Sequence, residues 1–312
     1  MKAVVYKKKG LSYLLENCKV AQPVPADNEV LVKIHAVSIN AADYRSMRMG
    51  ITTRRNIYGA DIAGTIEAIG KNVTKFKVGD EVFGDISSRG FGGFAEFATA
   101  PEELLAFKPS AVSFETAAAI PMAALTALQA LRDRGNVQAG QKVLVYGAGG
   151  GVGTFAVQLA RYFDAEVTAV CGPGNVDLVR SLGADHVVDY ISEDIFKSRG
   201  TYDLILAVNG SQALNTYKRA LAPGGVLVVV GGALTQIIKT MLIGGILSNS
   251  SKKLRSISAK ASAADLEFII KLVEAQKIKP VIDRIYSLEQ TTDAVKYLSQ
   301  GHTQGKVIIT VI

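Results

Sequence analysis

The sequence predicts an α/β protein of two domains, one a doubly wound parallel sheet and the other mostly β. Its 312 residues exceed what a single hydrophobic core usually serves. From Lys142 onward, short β-branched runs alternate with helical segments, the pattern of a parallel sheet covered on both faces. The first third instead reads as short strands joined by turns. With 48% hydrophobic and 20% charged residues, the chain can bury real cores and lacks the composition of a disordered segment.

In chain order, Lys2-Ala-Val-Val-Tyr6 is strand-like, Val30 to Ile34 alternates around a core, and Gly79 to Gly84 is a turn feeding a strand. From Phe114 the pattern turns helical, and Ala117 to Leu131 is rich in strong helix formers. Strands follow at Val143 to Tyr146, Glu166 to Val170, His186 to Asp189, Leu204 to Val208 and Val226 to Val230. Between the first two, Val152, Phe155, Ala156, Leu159, Ala160 and Phe163 recur at helical spacing, which predicts an amphipathic crossover helix. A helix at Ala263 to Ala275, a strand at Val281 to Ile285, a helix around Thr292 to Leu298 and a strand at Lys306 to Val311 form a tail expected to return to the first domain. The expected domains are residues 1–115 completed by 280–312, and residues 116–279.

Composition narrows the function classes. Lys and Arg number 35 against 28 Asp and Glu, an excess that would suit an anionic ligand, a nucleic acid or an anionic membrane. It is spread out, however. Neither Lys7-Lys8-Lys9 nor the group Lys252, Lys253 and Arg255 is interleaved with aromatics, so a solvated basic surface and no nucleic-acid partner are expected. Cys18 and Cys171 make no disulfide framework, which fits a reducing, cytoplasmic setting. Glu16 and Asn17 interrupt the apolar stretch after the first lysines, so no cleaved targeting peptide is expected. Val226 to Leu247 is the apolar span, but Gly231, Gly232, Gln236 and Lys239 break it, and it reads as a buried strand followed by a helix. Its greasy end, Ile237 to Leu247, suits either a lid over an apolar pocket or a peripheral membrane contact.

The chemistry is carried by Val143-Leu-Val-Tyr-Gly-Ala-Gly-Gly-Gly-Val-Gly153. It places a glycine cluster between strand and helix, where backbone amides and the helix N-terminus can meet a pyrophosphate that a side chain would block. The spacing is not the strict G-x-G-x-x-G, so the glycines alone would also fit a structural turn or another ligand of a Rossmann-like sheet. Strand before, helix after and a second strand in place favour a dinucleotide, with Gly150, Gly151, Val152 and Gly153 at its phosphates. An NAD site usually has a carboxylate at the end of the second strand; here that strand ends Cys171-Gly172-Pro173-Gly174, so NADPH is the expected cofactor. Asn175, Arg180 and Tyr190 are candidates for its phosphate, against cap, solvated helix face and core-edge tyrosine. His35, His186 and His302 are scattered and show no metal-ligand spacing with the two cysteines, so no metal is expected and His35 is expected to be packed or surface-lying. There is no G-x-S-x-G elbow for a serine hydrolase.

The chain resembles the medium-chain dehydrogenase/reductase superfamily in its zinc-free, quinone oxidoreductase-like branch. The resemblance rests on Met1-Lys-Ala-Val-Val-Tyr6, Asn40-Ala-Ala-Asp43-Tyr44, Gly59-Ala-Asp61-Ile-Ala-Gly64, Val78-Gly-Asp-Glu-Val-Phe-Gly84, Gly92-Gly-Phe-Ala-Glu96, Leu125-Thr-Ala-Leu128 and the glycine turn. Through Ser181 to Asp185, Asp189-Tyr190 and Gly301-His302 it is similar to the chloroplast-envelope quinone oxidoreductase homologue and alkenal/enone reductase group. Zinc-using members carry a cysteine at the Asn40 position, Gly-His-Glu at Gly59-Ala60-Asp61, and a cysteine-rich lobe absent here. The resemblance implies a GroES-like catalytic domain beside the Rossmann domain, and commonly a homodimer. It implies that Asn40 faces the nicotinamide and substrate, and that Thr126 lies by the nicotinamide ring. Gly151 and Val152 would cradle the pyrophosphate, with Gly172, Asn175 and Tyr190 at the adenosine end. Asn209, Gly231 and Gly232 would line the nicotinamide side, and Lys306 would lie near the cofactor. Several NADPH-using relatives have Lys where this chain has Asn175, which weakens the coenzyme preference.

The expected reaction is hydride transfer from NADPH to a quinone or to the β-carbon of an α,β-unsaturated carbonyl. Tyr44 and the Asn40 amide are the candidate donors to the developing oxyanion. Simple alcohol oxidation fits poorly where no Lewis acid holds the alkoxide. The rival readings are a non-catalytic, crystallin-like NADPH-binding protein and an enoyl-thioester reductase.

Overall fold

A computed structural model describes residues 1–9, 12–51, 53–197, 200–208, 212–231 and 251–311. By contacts the chain divides into two compact units, one of Met1–Leu125, Ala261–Gln276 and Pro280–Ile312, the other of Thr126–Lys260 and Lys277–Lys279. The first therefore takes in the stretches 116–125 and 261–276, which the sequence-based boundaries assign to the second. Helix Ala263–Glu274 packs on the strand Leu105–Phe107, a tertiary contact that alternation of elements along the chain does not reveal.

The first unit opens with a hairpin of β1 (Lys2–Lys9) and β2 (Ser12–Lys19). The long strand β3 (Glu29–Ile39) follows, then helix α1 (Ala41–Met49) and the strands β4 (Asp61–Ile69), β5 (Glu81–Asp85), β6 (Phe97–Pro101) and β7 (Leu105–Phe107). β3 runs five residues beyond the expected Val30 to Ile34. It pairs with three neighbours and is buried along nearly its whole length, so alternation of polar and apolar residues stops marking its end. His35 lies in this strand, half-buried, stacked on Phe114 at 4.1 Å and within 3.2 Å of Thr65 Oγ1. It is a packed residue.

The second unit holds six parallel strands in the order 3-2-1-4-5-6 of a doubly wound sheet. They are β8 (Lys142–Tyr146), β9 (Glu166–Cys171), β10 (His186–Asp189), β11 (Tyr202–Val208), β12 (Leu221–Val230) and β13 (Lys253–Ser256). Their expected cores all fall inside these bounds. The crossover helix Gly151–Tyr162 departs from the expected single apolar stripe, because Thr154, Val157 and Gln158 are buried as well. Gln158 holds the backbone of Lys279 through both its amide nitrogen and its oxygen, at 3.0 and 2.7 Å. The expected helix from Ala117 to Leu131 is in fact Phe114–Ala118, then Pro121–Gln129, then a π-turn at Ala130–Gly135. Pro121 has no N–H to continue the first helix.

After Ala263–Glu274, β14 (Ile282–Ser287), helix Thr291–Ser299 and β15 (Lys306–Thr310) return to the first sheet, whose order is β14-β15-β3-β4-β5-β7 with β6 also on β3. The span Val226 to Val230 is a buried strand, as expected. Ile237 to Leu247 lies outside the described residues. Among those described, no helix is long and apolar enough to cross a membrane.

Candidate active site and cofactor cradle

In the second unit, the turn after β8 is shaped by close approach of backbone to backbone. Gly147 takes φ +92°, and a Cβ there would stand 2.0 Å from the Val208 carbonyl oxygen at the end of β11. A Cβ on Gly153 would stand 2.2 Å from the Gly147 oxygen, so the helix can sit this close to the strand turn only with glycine at that position. Gly150 differs. It is the residue before the helix, at φ −84° and ψ 176°, and a Cβ added there would have nothing within 4 Å. The first intrahelical bond runs from Thr154 N to Gly150 O, so the amides of Gly151, Val152 and Gly153 precede the ladder and stand at the positive end of a 12-residue helix.

The turn continues into a second glycine position. A Cβ on Gly149 would meet Asn175 Cγ at 2.5 Å, and the buried Asn175 Oδ1 has no hydrogen-bond partner. Asn175 N donates to Gly172 O, and a Cβ on Gly172 would stand 3.2 Å from the Tyr190 hydroxyl. Gly149, Asn175, Gly172 and Tyr190 therefore form one wall across the carboxyl ends of β8, β9 and β10. An orphaned acceptor, an open glycine and an uncapped helix start are what a nucleotide diphosphate with ribose hydroxyls to donate would fit. Arg180 is paired with Asp177 at 2.9 Å on an exposed helix face. Gly231 follows β12 at φ +69°, and Thr126 is half-buried on Pro121–Gln129. Asn209 and Gly232 lie outside the described residues.

Asn40, Tyr44 and Lys306 belong to the first unit, where strand register gathers a buried polar cluster. Ser38 stands opposite Asp61 on β4, Asp61 opposite Asp85 on β5, and Ile39 opposite Val307 on β15. Asp61 Oδ2 accepts from Ser38 Oγ and from Asn40 Nδ2, both at 2.8 Å, and Oδ1 accepts from Met122 N at 3.0 Å. Lys306 Nζ donates to Asn40 Oδ1 at 2.6 Å and lies 3.5 Å from Asp61 Oδ2. Asp43 accepts from the backbone N–H of Asn40 at 2.7 Å and of Gly59 at 3.1 Å. Burial nevertheless raises its carboxyl to about 7, and raises Asp85 to about 6, while burial lowers the Lys306 ammonium. Tyr44 follows Asp43 on α1, half-buried against the core, with the Arg45 guanidinium 5.7 Å from its ring centre.

Of the expected residues Asn40, Tyr44 and Lys306, the first and last meet through Asp61, and Asp43 holds the backbone N–H of Asn40; neither carboxylate was among the expected site residues. Asp43 and Asp61 stand in the motifs that carry the family resemblance, and their chemical partnership appears only once β3, β4, β5 and β15 are in register. Among the described residues, no group of three or more His, Cys, Asp or Glu is placed to hold a metal ion.

The fold agrees with what the chain is similar to. Residues 26–110 match the family model "Alcohol dehydrogenase GroES-like domain", and residues 182–309 match "Zinc-binding dehydrogenase". The second matched stretch contains His186 and His302 and no cysteine. The chain is 36% identical to a chloroplast envelope quinone oxidoreductase homolog from Arabidopsis thaliana, over 95% of this chain and 93% of that one. It is 32% identical to a 2-methylene-furan-3-one reductase from Solanum lycopersicum, over 99% of this chain and 79% of that one. The solved quinone oxidoreductase from Coxiella burnetii superposes with a TM-score of 0.89 at 25% identity, covering 100% of this chain and 99% of that one. The chain belongs to the medium-chain dehydrogenase/reductase superfamily, among its quinone oxidoreductase-like members. It is an oxidoreductase of a family that works with a nicotinamide cofactor.

Proposed function

We propose that this chain is a zinc-independent, NADPH-dependent reductase of quinones or α,β-unsaturated carbonyls. The observation that carries the reading is the content of the buried cluster. Where zinc-using members of the superfamily place thiolate and imidazole ligands, this chain has the Asn40 carboxamide and the Ala60 methyl, with the Lys306 ammonium 2.6 Å from Asn40 Oδ1. A fixed ammonium repels a second cation and offers no open coordination position. The acceptor must then be electron-poor enough to react without a Lewis acid, which quinones and enones are and simple alcohols are not. The names of the two plant relatives, one a quinone oxidoreductase homolog and one a reductase of an exocyclic enone, support the same substrate class.

The residues of the second unit fit the cofactor. The amides of Gly151, Val152 and Gly153 would hold the pyrophosphate, and Gly172, Asn175 and Tyr190 the adenosine end, with no carboxylate at Gly172 to repel a 2′-phosphate. The bound nicotinamide supplies the hydride. The protein's own part is to hold the acceptor oxygen as charge develops there, for which the Tyr44 hydroxyl is the proposed donor. The Asn40 amide nitrogen is engaged by Asp61 Oδ2 at 2.8 Å and faces the Ser38 carbonyl at 3.5 Å, so Asn40 shapes the start of α1 rather than donating to the acceptor. A preorganised donor of this kind is worth about 3 kcal/mol in the transition state.

The test is oxidation of NADPH and of NADH by purified protein with a panel of quinones, enones, enoyl thioesters and alcohols, with and without a chelator. Turnover of quinones or enones with NADPH that a chelator leaves unchanged is expected. Tight cofactor binding without turnover of any acceptor would make the protein a non-catalytic binder. Preference for thioesters would move it to acyl-chain reduction.

A further inference from the structure

We infer that Lys306 is a positioning residue for catalysis: its ammonium locks the orientation of the Asn40 carboxamide and so the start of the helix that carries Tyr44. The inference rests on the reading of Tyr44 as the donor beside the acceptor. Lys306 opens β15, 266 positions along the chain from Asn40. Its approach is set by Gly305, which takes φ +89° and where a Cβ would stand 2.4 Å from the Val281 carbonyl oxygen, while Lys306 N donates to that same oxygen at 2.9 Å. From there the side chain, 3% exposed, reaches the junction of β3 and α1.

The chemistry of the three groups allows one arrangement. An ammonium only donates, so the carboxamide oxygen must face Lys306; a carboxylate only accepts, so the carboxamide nitrogen must face Asp61. The reversed amide would set NH2 against the ammonium and oxygen against the carboxylate, two repulsions in a site almost closed to water. The distances show which partner Lys306 serves first. Nζ is 2.6 Å from the Asn40 oxygen but 3.5 Å from the Asp61 oxygen, so the hydrogen bond to the amide is tighter than the ion pair. The locked residue then begins α1, where Asn40 N donates to Asp43 Oδ2 and Asp43 N to Asn40 O. Tyr44 is the next residue.

The competing role is a plain countercharge for Asp61, and a pair of variants separates the two. Lys306→Met leaves Asp61 buried and uncompensated, so Lys306→Met/Asp61→Asn removes both charges at nearly constant shape. The control is Asp61→Asn alone, which tests the acceptor oxygens that Asp61 gives Asn40, Ser38 and Met122. With NADPH and a turned-over quinone or enone, the double variant should keep its cofactor Kd near wild type while kcat falls roughly 10- to 100-fold below that of Asp61→Asn alone, since small misplacements of reacting groups cost that much. A kcat in the double variant no lower than that of Asp61→Asn would reduce Lys306 to a countercharge. A raised cofactor Kd with unchanged kcat would make it a cofactor contact instead. Either result overturns the inference.

A second readout needs no turnover. In 15N-asparagine-labelled protein, the side-chain amide of Asn40, assigned by its loss in Asn40→Ser, should exchange slowly with solvent in wild type and in Asp61→Asn but lose that protection in Lys306→Met/Asp61→Asn. Equal protection in the two variants would remove the Lys306 role. Exchange as fast as that of exposed asparagines would overturn the locking. Because this measurement is independent of any acceptor, failure of the proposed reductase activity and failure of the Lys306 role are distinguishable.

Discussion

Two single-methyl substitutions separate a glycine that the fold requires from the one proposed to lie against the cofactor. At Gly153 an added Cβ meets backbone, the Gly147 oxygen at 2.2 Å and Ala148 atoms at 2.7 Å, and nothing there can rotate away. Relief to ordinary contact needs a shift of about 1 Å between helix and turn, the kind of overpacking that costs roughly 1–3 kcal/mol. At about 2–4 °C per kcal/mol for units of this size, Gly153→Ala should lower the thermal midpoint by several degrees. At Gly150 the backbone angles suit alanine and an added Cβ meets nothing within 4 Å. Alanine is a poorer residue than glycine before a helix, so Gly150→Ala should lower stability by up to about 1 kcal/mol. If the open side of Gly150 is where the pyrophosphate lies, the same methyl displaces it. NADPH affinity should then fall by about tenfold or more, about 1.4 kcal/mol or above. Thermal melts without cofactor and fluorescence titrations with NADPH measure the two effects separately. Wild-type affinity in Gly150→Ala would place the phosphates elsewhere, and a wild-type melt of Gly153→Ala would show that the close approach of helix and turn is wrong.

Gly172→Asp should shift the ratio of NADH to NADPH affinity toward NADH by about tenfold or more; the new side chain meets the hydroxyl end of the exposed Tyr190 at 3.2 Å, which can give way, and an unchanged ratio in titrations would remove this position from coenzyme choice. Tyr44→Phe should lower enone or quinone turnover by roughly two orders of magnitude with NADPH affinity nearly unchanged, because the lost bond is made to developing charge; unchanged turnover in steady-state kinetics would remove its catalytic role. Asp43, raised from 3.8 to about 7 by burial, keeps in the folded state a proton that the unfolded chain has released. Its stabilising contribution is present below pH 4 and is lost as pH rises through about 7. Denaturant midpoints should therefore fall more between pH 5 and pH 8 in wild type than in Asp43→Asn, with Asp85 adding the same sign at slightly lower pH; equal slopes would show that Asp43 is ionised throughout.

What the sequence determined alone was local. Five short β-branched runs between helical segments have one sterically ordinary solution, a parallel sheet with crossovers. A glycine cluster at a strand-to-helix turn has one common chemical use, and Gly172 where a carboxylate would stand is a property of a single position. These are effects of neighbours within a few residues, and the described strands and the turn follow them. The end of β3 was not legible, because a strand paired on both edges and buried on both faces loses the alternation that marks its limits. The break at Pro121 and the π-turn at Ala130–Gly135 were hidden by helix formers whose propensity tertiary packing overrides. The buried cluster was legible only in pieces. Asn40 and Asp61 are 21 positions apart and Asn40 and Lys306 are 266, and nothing in spacing or hydropathy couples them. Only the register of β3 with β4 and β15 decides that Lys306 spends its charge on Asn40 and Asp61, because hydrogen bonding in a closed interior depends on which groups meet in space and not on their order along the chain.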